Sequence, residues 1–233
     1  MRQMKEMLCN SVFFGVMVSI LAYEIGMFLK KKWKLAIFNP LLIAIAVIIV
    51  ILAITGVEYD TYNDGAKYLS YLLTPATVCL AVPLYEQLEI LKKNLKAILA
   101  GILAGALTSV TSVLILAVFF GLTHEQYVTL LPKSITTAIG MGVSEELGGI
   151  VTITVAVIII TGVLGNMFAE AVCKIFRIEE PIAKGIGIGS ASHAIGTAKA
   201  MELGDIEGAM SSLSIAVSGL ITVMLASVYA QFL

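Results

Sequence analysis

The side chains able to do chemistry in this chain are gathered in three short stretches. The densest is GIGIGSASHAIGTAKAMELG at 185–204, with five glycines, two serines, a histidine, a threonine and a lysine. At helical spacing Gly185, Gly189, His193 and Thr197 form one stripe, and Ser192, Gly196 and Lys199 the neighbouring one, so one face is small and polar. His193, with an ordinary pKa of about 6.5, could carry a coupling proton near neutrality. Ser190, Ser192 and Thr197 offer hydroxyls, and Lys199 a positive charge, to an anion or to water. The competing reading gives the glycines to close helix packing and the imidazole to a neighbour's carbonyl. Three hydroxyl residues around a histidine in so apolar a chain favour a cavity wall.

The second stretch is LLPKSITTAIGMGVSEELGG, 130–149. Pro132 suits a first helical turn, and Ser134, Thr136 and Thr137 follow it. A short helix starting inside a membrane presents unpaired N–H groups and a positive dipole end, which suits an anion, and Lys133 would add to that field. Glu145 and Glu146, before Gly148 and Gly149, are ion-coupling candidates if they lie inside the membrane and surface charges if they do not. The third stretch is YLLTPATVCLAVPLYEQ, 71–87, where Pro75 and Pro83 interrupt a helical pattern and Thr74 and Thr77 could rebond the freed carbonyls or face a ligand. Pro75, Pro83, Pro132 and Gly189 are the expected helix breaks. A carrier site would require Thr74, Ser134, Thr136, His193 and Thr197 to converge.

Other chemistries find no support. Ser192 and His193 are adjacent and so diverge on a helix, which excludes a direct nucleophile–base pair between them. The G-x-G spacing in GIGIGSASHAIG has no βαβ surroundings. His124-Glu125-Gln126-Tyr127-Val128 lacks the second histidine of a zinc protease. Cys9, Cys79 and Cys173 lie far apart with no ligand spacing and read as small hydrophobes. The chain is therefore expected to be no enzyme and to need no metal or cofactor. A net charge of −1 speaks against nucleic acid.

The elements that must position these residues are membrane helices. Of 233 residues 59% are hydrophobic and 13% charged, with a mean hydropathy of +0.98, more than one soluble core can use. Continuous apolar runs such as LLIAIAVIIVILAI at 41–54 point to an all-α bundle rather than a barrel. Apolar runs place spans near 10–29, 37–56, 69–88, 97–120, 150–172, 183–202 and 209–231, the first a retained span rather than a cleaved signal. With the semi-polar segment 132–149 this makes seven to eight membrane segments. The clusters Lys30–Lys31–Lys32–Lys34, Lys92–Lys93–Lys96 and Lys174–Arg177–Lys184 should be cytoplasmic, and the connections with Glu58, Asp60, Asp64 and Glu202, Asp205, Glu207 are acidic. For the second and third clusters to share a side, 132–149 must enter and leave on one face. That divides the chain into 1–36, a first span and basic loop; 37–120, a first repeat; 121–149, a loop and re-entrant segment; and 150–233, a second, inverted repeat. Inverted repeats with interrupted helices are the plan of secondary transporters. Gly101 and Gly105 in GILAG suit tight packing and a homodimer.

FNPLL at 38–42, LLTPATVCLAVPLYEQ at 72–87, LPKSITTAIGMGVSEELGG at 131–149 and GSASHAIGTAKAMELGDIEGAMSSL at 189–213 together resemble the LrgB/CidB family of bacterial membrane proteins. The resemblance implies a multi-pass protein of the bacterial inner (cytoplasmic) membrane with an LrgA/CidA-type membrane partner. It also implies two activities. One is antiholin-like or holin-like control of murein hydrolases and lysis. The other, from relatives that exchange glycolate and glycerate in plastid envelopes and from bacterial relatives linked to pyruvate uptake, is transport of small monocarboxylates.

Overall fold

The computed structural model describes residues 11–33 and 38–233, with the side chains of Val12, Leu73 and Thr77 outside the described set; Cys9 and Lys34 also lie outside it. The described chain is helical, and it packs as two units, Met1–Cys79 and Leu80–Leu233.

In the first unit α1 (Val12–Trp33) carries Lys30, Lys31 and Lys32 at its end. Asn39 starts α2 (Pro40–Thr55): its side chain accepts from the N–H groups of Leu41 and Leu42 at 2.9 and 3.3 Å, and Pro40 occupies the first turn, where a missing donor costs nothing. Gly56, left-handed at φ 62°, ends it. α3 (Tyr59–Ser70) lies on α1, where Gly15 meets the Tyr62 carbonyl and Ser19 Oγ lies 2.7 Å from Tyr62 Oη. α4 (Leu73–Cys79) closes this unit and α5 (Ala81–Glu86) opens the next. Pro75 and Pro83 both sit third in these short helices. The interruptions therefore fall before the prolines, at 71–72 and at Leu80, because a proline in a first turn loses no hydrogen bond.

The second unit is built on three long helices: α6 (Leu88–Phe120), α9 (Val151–Ile175) and α11 (Asp205–Tyr229), each long and apolar enough to cross a membrane. Between α6 and α9 lies a helical hairpin. Thr123 starts α7 (His124–Leu130) with a reciprocal cap, accepting from Gln126 N–H at 3.3 Å while Gln126 Oε1 accepts from Thr123 N–H at 3.0 Å. Residues 131–136 turn, and α8 (Thr137–Glu146) returns. The arms are stapled by hydroxyls. Thr129 Oγ1 accepts from Ile150 N–H at 2.8 Å, and Thr154 Oγ1 donates to the Thr129 carbonyl at 2.9 Å and lies 2.7 Å from Ser144 Oγ. Residues 124–149 thus fold back on themselves as a helical hairpin. Pro132 opens the turn that follows α7 rather than a helix, because Leu130 already ends that helix.

α10 (Pro181–Leu203) overturns one expectation: it is not a span. His193 has φ 42° and ψ −141°, far from helical, and the chain reverses there. Ile188 and Gly196 would stand about 12 Å apart along a continuous helix, yet a Cβ on Gly196 would lie 3.1 Å from Ile188 Cγ2 and 3.3 Å from its carbonyl oxygen. Ile188 and Ala200 share one apolar cluster with Ala169, and Lys184 and Leu203 line one cleft. Residues 183–202 therefore form a second re-entrant hairpin with its tip at His193. The acidic turn holding Glu202, Asp205 and Glu207 consequently lies on the same face as Lys174, Arg177 and Lys184. Lys92, Lys93 and Lys96 lie on that face too, since Leu91 and Ile182 pack on one apolar cluster and Asn94 lines a cleft with Glu180 and Ile182.

Candidate functional site

α11 serves as a ruler for both hairpins. On the first, Tyr127 Oη donates to the Tyr229 carbonyl at 2.9 Å, Ile135 packs with Ala226 and Val223, and Ile139 reaches Gly219. On the second, Gly185 abuts Glu207 and Met210, Gly189 abuts Ser211 and Ser214, and after the turn Thr197 Oγ1 lies 2.7 Å from Ser211 Oγ. The hairpins thus come from opposite ends of α11; the second tip lies near residue 217, the middle of that helix, and the first hairpin comes closest to it through Ile139 of α8 at Gly219. Ile158 of α9 joins them: its Cδ1 closes on Gly140 of α8, and its carbonyl accepts from His193 Nε2 at 3.0 Å. Each hairpin is followed by a crossing helix, and the two hairpin–helix pairs, 124–175 and 181–229, run in opposite senses.

His193 is buried at this junction, and because a carbonyl only accepts, its Nε2 must carry the proton. Its backbone occupies a region almost reserved for glycine, at a cost of about 1–3 kcal/mol. Close packing compensates. Ser192 seats against Gly165, where no Cβ fits, and Asn166 Nδ2 donates to the Ile195 carbonyl at 2.8 Å. Thr197 Oγ1 donates to the His193 carbonyl at 3.0 Å, which leaves the shared proton with Ser211 to come from Ser211. Past the tip, residues 194–203 are a half-helix whose first N–H groups and positive dipole end lie at the junction.

The sequence-predicted residues divide clearly. His193 forms the second tip, with Ser192 beside it and Thr197 one turn further on. Ser134 is buried in the first tip, 2.9 Å from Lys133 Nζ, with Thr136 and Thr137 half-buried at the start of α8. Ser190 is buried one turn back, donating to the Ile186 carbonyl at 2.7 Å against Gly105. Gly189 lies in regular helix, and the break expected there falls four residues later, because Gly189 is spent on close approach to the Ser211 backbone. Glu145 and Glu146 are exposed at the returning end of α8, away from the tips. Lys199 pairs with Glu170 at 2.6 Å and Glu202 at 3.2 Å, fastening the second arm to α9. Thr74 is exposed in the first unit, and the Thr77 side chain lies outside the described set. Sequence reasoning missed the Ile158 carbonyl, Ser211 and Ser214 on α11, and Ser109 on α6. The i, i+3, i+7 spacing of Ser211, Ser214 and Ser218 was the available signal for the α11 face.

At the face where the second hairpin begins and ends, Lys174, Arg177 and Lys184 line a cleft of about 470 Å³ together with Glu170, Glu179 and Leu203. This mouth, beside the hairpin that holds His193, carries three cations and two carboxylates. Among the described residues no group of three or more acidic, histidine or cysteine side chains is placed to hold a metal.

The LrgB-like family profile matches residues 19–232. The chain belongs to the LrgB-like family. The antiholin-like protein LrgB of Bacillus subtilis (strain 168) is 38% identical over 224 residues, 96% of this chain and 97% of that one. Proteins of the same name from Bacillus mycoides (strain KBAB4) and Bacillus cereus (strain B4264) are each 39% identical over 95% of this chain and 96% of theirs. No solved structure matches. Membership in the LrgB-like family and five helices of membrane-spanning length among the described residues make this a multi-pass membrane protein.

Proposed function

We propose that this LrgB-like protein is a secondary carrier of small monocarboxylates, of the pyruvate, glycolate and glycerate type, in the bacterial cytoplasmic membrane. One observation carries the reading: two re-entrant hairpins enter from opposite ends of α11 and end together on Ile158 at its middle. Irregular backbone is tolerated at that depth only where protein or a water-filled cavity surrounds it, and opposed broken elements are how carriers hold a solute between alternating faces. The groups at the tips are hydroxyls, an imidazole, Lys133 and a half-helix start, which are donors suited to a carboxylate rather than a catalytic set. An LrgA-type membrane partner belongs to this proposal, as does coupling to protons through His193.

The names of the relatives favour a second reading, an antiholin-like regulator of murein hydrolases with no carrier activity. Uptake of labelled pyruvate, glycolate and glycerate by proteoliposomes, with and without an inward proton gradient, separates the two. Saturable uptake that collapses in His193→Ala is the expected result. Folded protein that takes up none of the three, alone or with an LrgA-type chain, would leave the regulator.

A further inference from the structure

The geometry points to Ser109 on α6 as an unassigned ligand-binding residue, whose hydroxyl receives the carboxylate of the carried acid together with the first N–H groups of half-helix 194–203. Its Oγ is buried and is the one buried side-chain nitrogen or oxygen without a hydrogen-bond partner among the described residues. A serine in a helix has a default partner, the carbonyl four residues back. Ser19, Ser190, Ser212 and Ser214 all donate to it. Ser109 does not, so its buried hydroxyl is left without an acceptor, and a lone buried donor costs free energy.

Register places that hydroxyl at the tip of the second hairpin. α6 and the first arm of α10 run parallel: Gly101 faces Ile186 and Gly105 faces Ser190. One further turn on each brings Ser109 level with Ala194, the residue after the break. Against α11 the answer is similar. Ile98 and Ile102 pack with Ala209 and Met210, while Val113 and Ala117 share a cluster with Tyr229 and Ala230, so Ser109 falls between, level with the stretch from Ser218 to Thr222. The half-helix from 194 is 10 residues long, enough for a developed dipole, and the first arm before the break is 12 residues. Arms of about 15 and 18 Å put the junction near the middle of a core about 30 Å thick. Donors converge there with no carboxylate at either tip, which selects an anion over a cation.

This inference rests on the carrier reading, and its test separates the two. Purified wild type, Ser109→Ala and Ser109→Cys are compared in detergent for thermal stability and for binding of pyruvate, glycolate and glycerate by calorimetry, and in liposomes for uptake. Because the Ser109 hydroxyl bonds nothing in the protein, the alanine variant should melt at or above wild type without acid. A lost hydrogen bond to a charged group should weaken binding and raise KM by about 10–100-fold, with maximal rate within about twofold. The cysteine variant, keeping size and a weak donor, should fall between. Equal affinity in wild type and Ser109→Ala overturns the seat. So does a fall in melting temperature with unchanged KM, which is the mark of a structural serine. Binding by wild type that is lost in the alanine variant, without uptake by either, retains the seat and sinks the carrier. No binding of any of the three acids by folded wild type overturns both.

Discussion

The most exposed consequence of the fold concerns two glycines a helical half-turn apart. A Cβ on Gly189 would run into the Ser211 carbonyl oxygen, its Cα at 2.8 Å and Ser214 Cβ at 2.8 Å, two of them backbone atoms that cannot rotate aside. A Cβ on Gly187 would meet nothing within 4 Å. Alanine in place of glycine inside a helix normally gains about 1 kcal/mol, so Gly187→Ala should stabilise by about that much. At Gly189 the same gain is set against overpacking of about 1–3 kcal/mol, leaving a net loss of about 1 kcal/mol as the hairpin is pushed off α11. The variants should therefore separate by about 2 kcal/mol. At about 2–4 °C per kcal/mol for a chain of this size, that is roughly 4–8 °C in Tm. Thermal denaturation in one detergent, followed by circular dichroism and by size-exclusion monodispersity, measures the gap. Equal Tm values, or a more stable Gly189→Ala, would refute the close approach of the second hairpin to α11.

Two further outcomes follow from local contacts. Thr154→Val keeps the shape but removes the hydroxyl that joins the Thr129 carbonyl to Ser144; the loss should be about 1–3 kcal/mol, read as a lower Tm and faster proteolysis of the segment around 131–136. Arg177 ends α9 in a left-handed conformation at φ 53°, with Ile178 N–H reaching back to the Cys173 carbonyl at 2.8 Å. Glycine fits that position without strain, so Arg177→Gly should raise Tm by a few degrees, for a gain of about 1 kcal/mol, while one cation leaves the mouth and uptake at low salt slows.

Much of this architecture was legible in the residues. Continuous apolar runs located α6, α9 and α11, and the lysine clusters led to the expectation that 132–149 folds back. The reversal at His193 was not legible. A glycine and serine stripe at four-residue spacing fits a straight, tightly packed helix as well as the arm of a hairpin, and no proline or glycine stands at 193 to announce a break. What decides between them is tertiary: the seats at Gly162 and Gly165 and the Ile158 carbonyl, which hold a strained histidine in place. Ser109 escaped notice for a related reason. A serine in an apolar helix looks self-satisfied until its neighbours are known.

The pairing of the two hairpins depends on that reversal, and spin labels at positions 184 and 203 test it directly. With Cys9, Cys79 and Cys173 replaced by serine, Lys184→Cys and Leu203→Cys are labelled and their separation is measured by electron paramagnetic resonance in lipid. A continuous helix would hold the two sites about 28 Å apart, whereas residues lining one cleft should give a distribution below roughly 20 Å. The short distance is the predicted result. A single population near 28 Å would make α10 a simple span, and the paired tips at Ile158 would go with it.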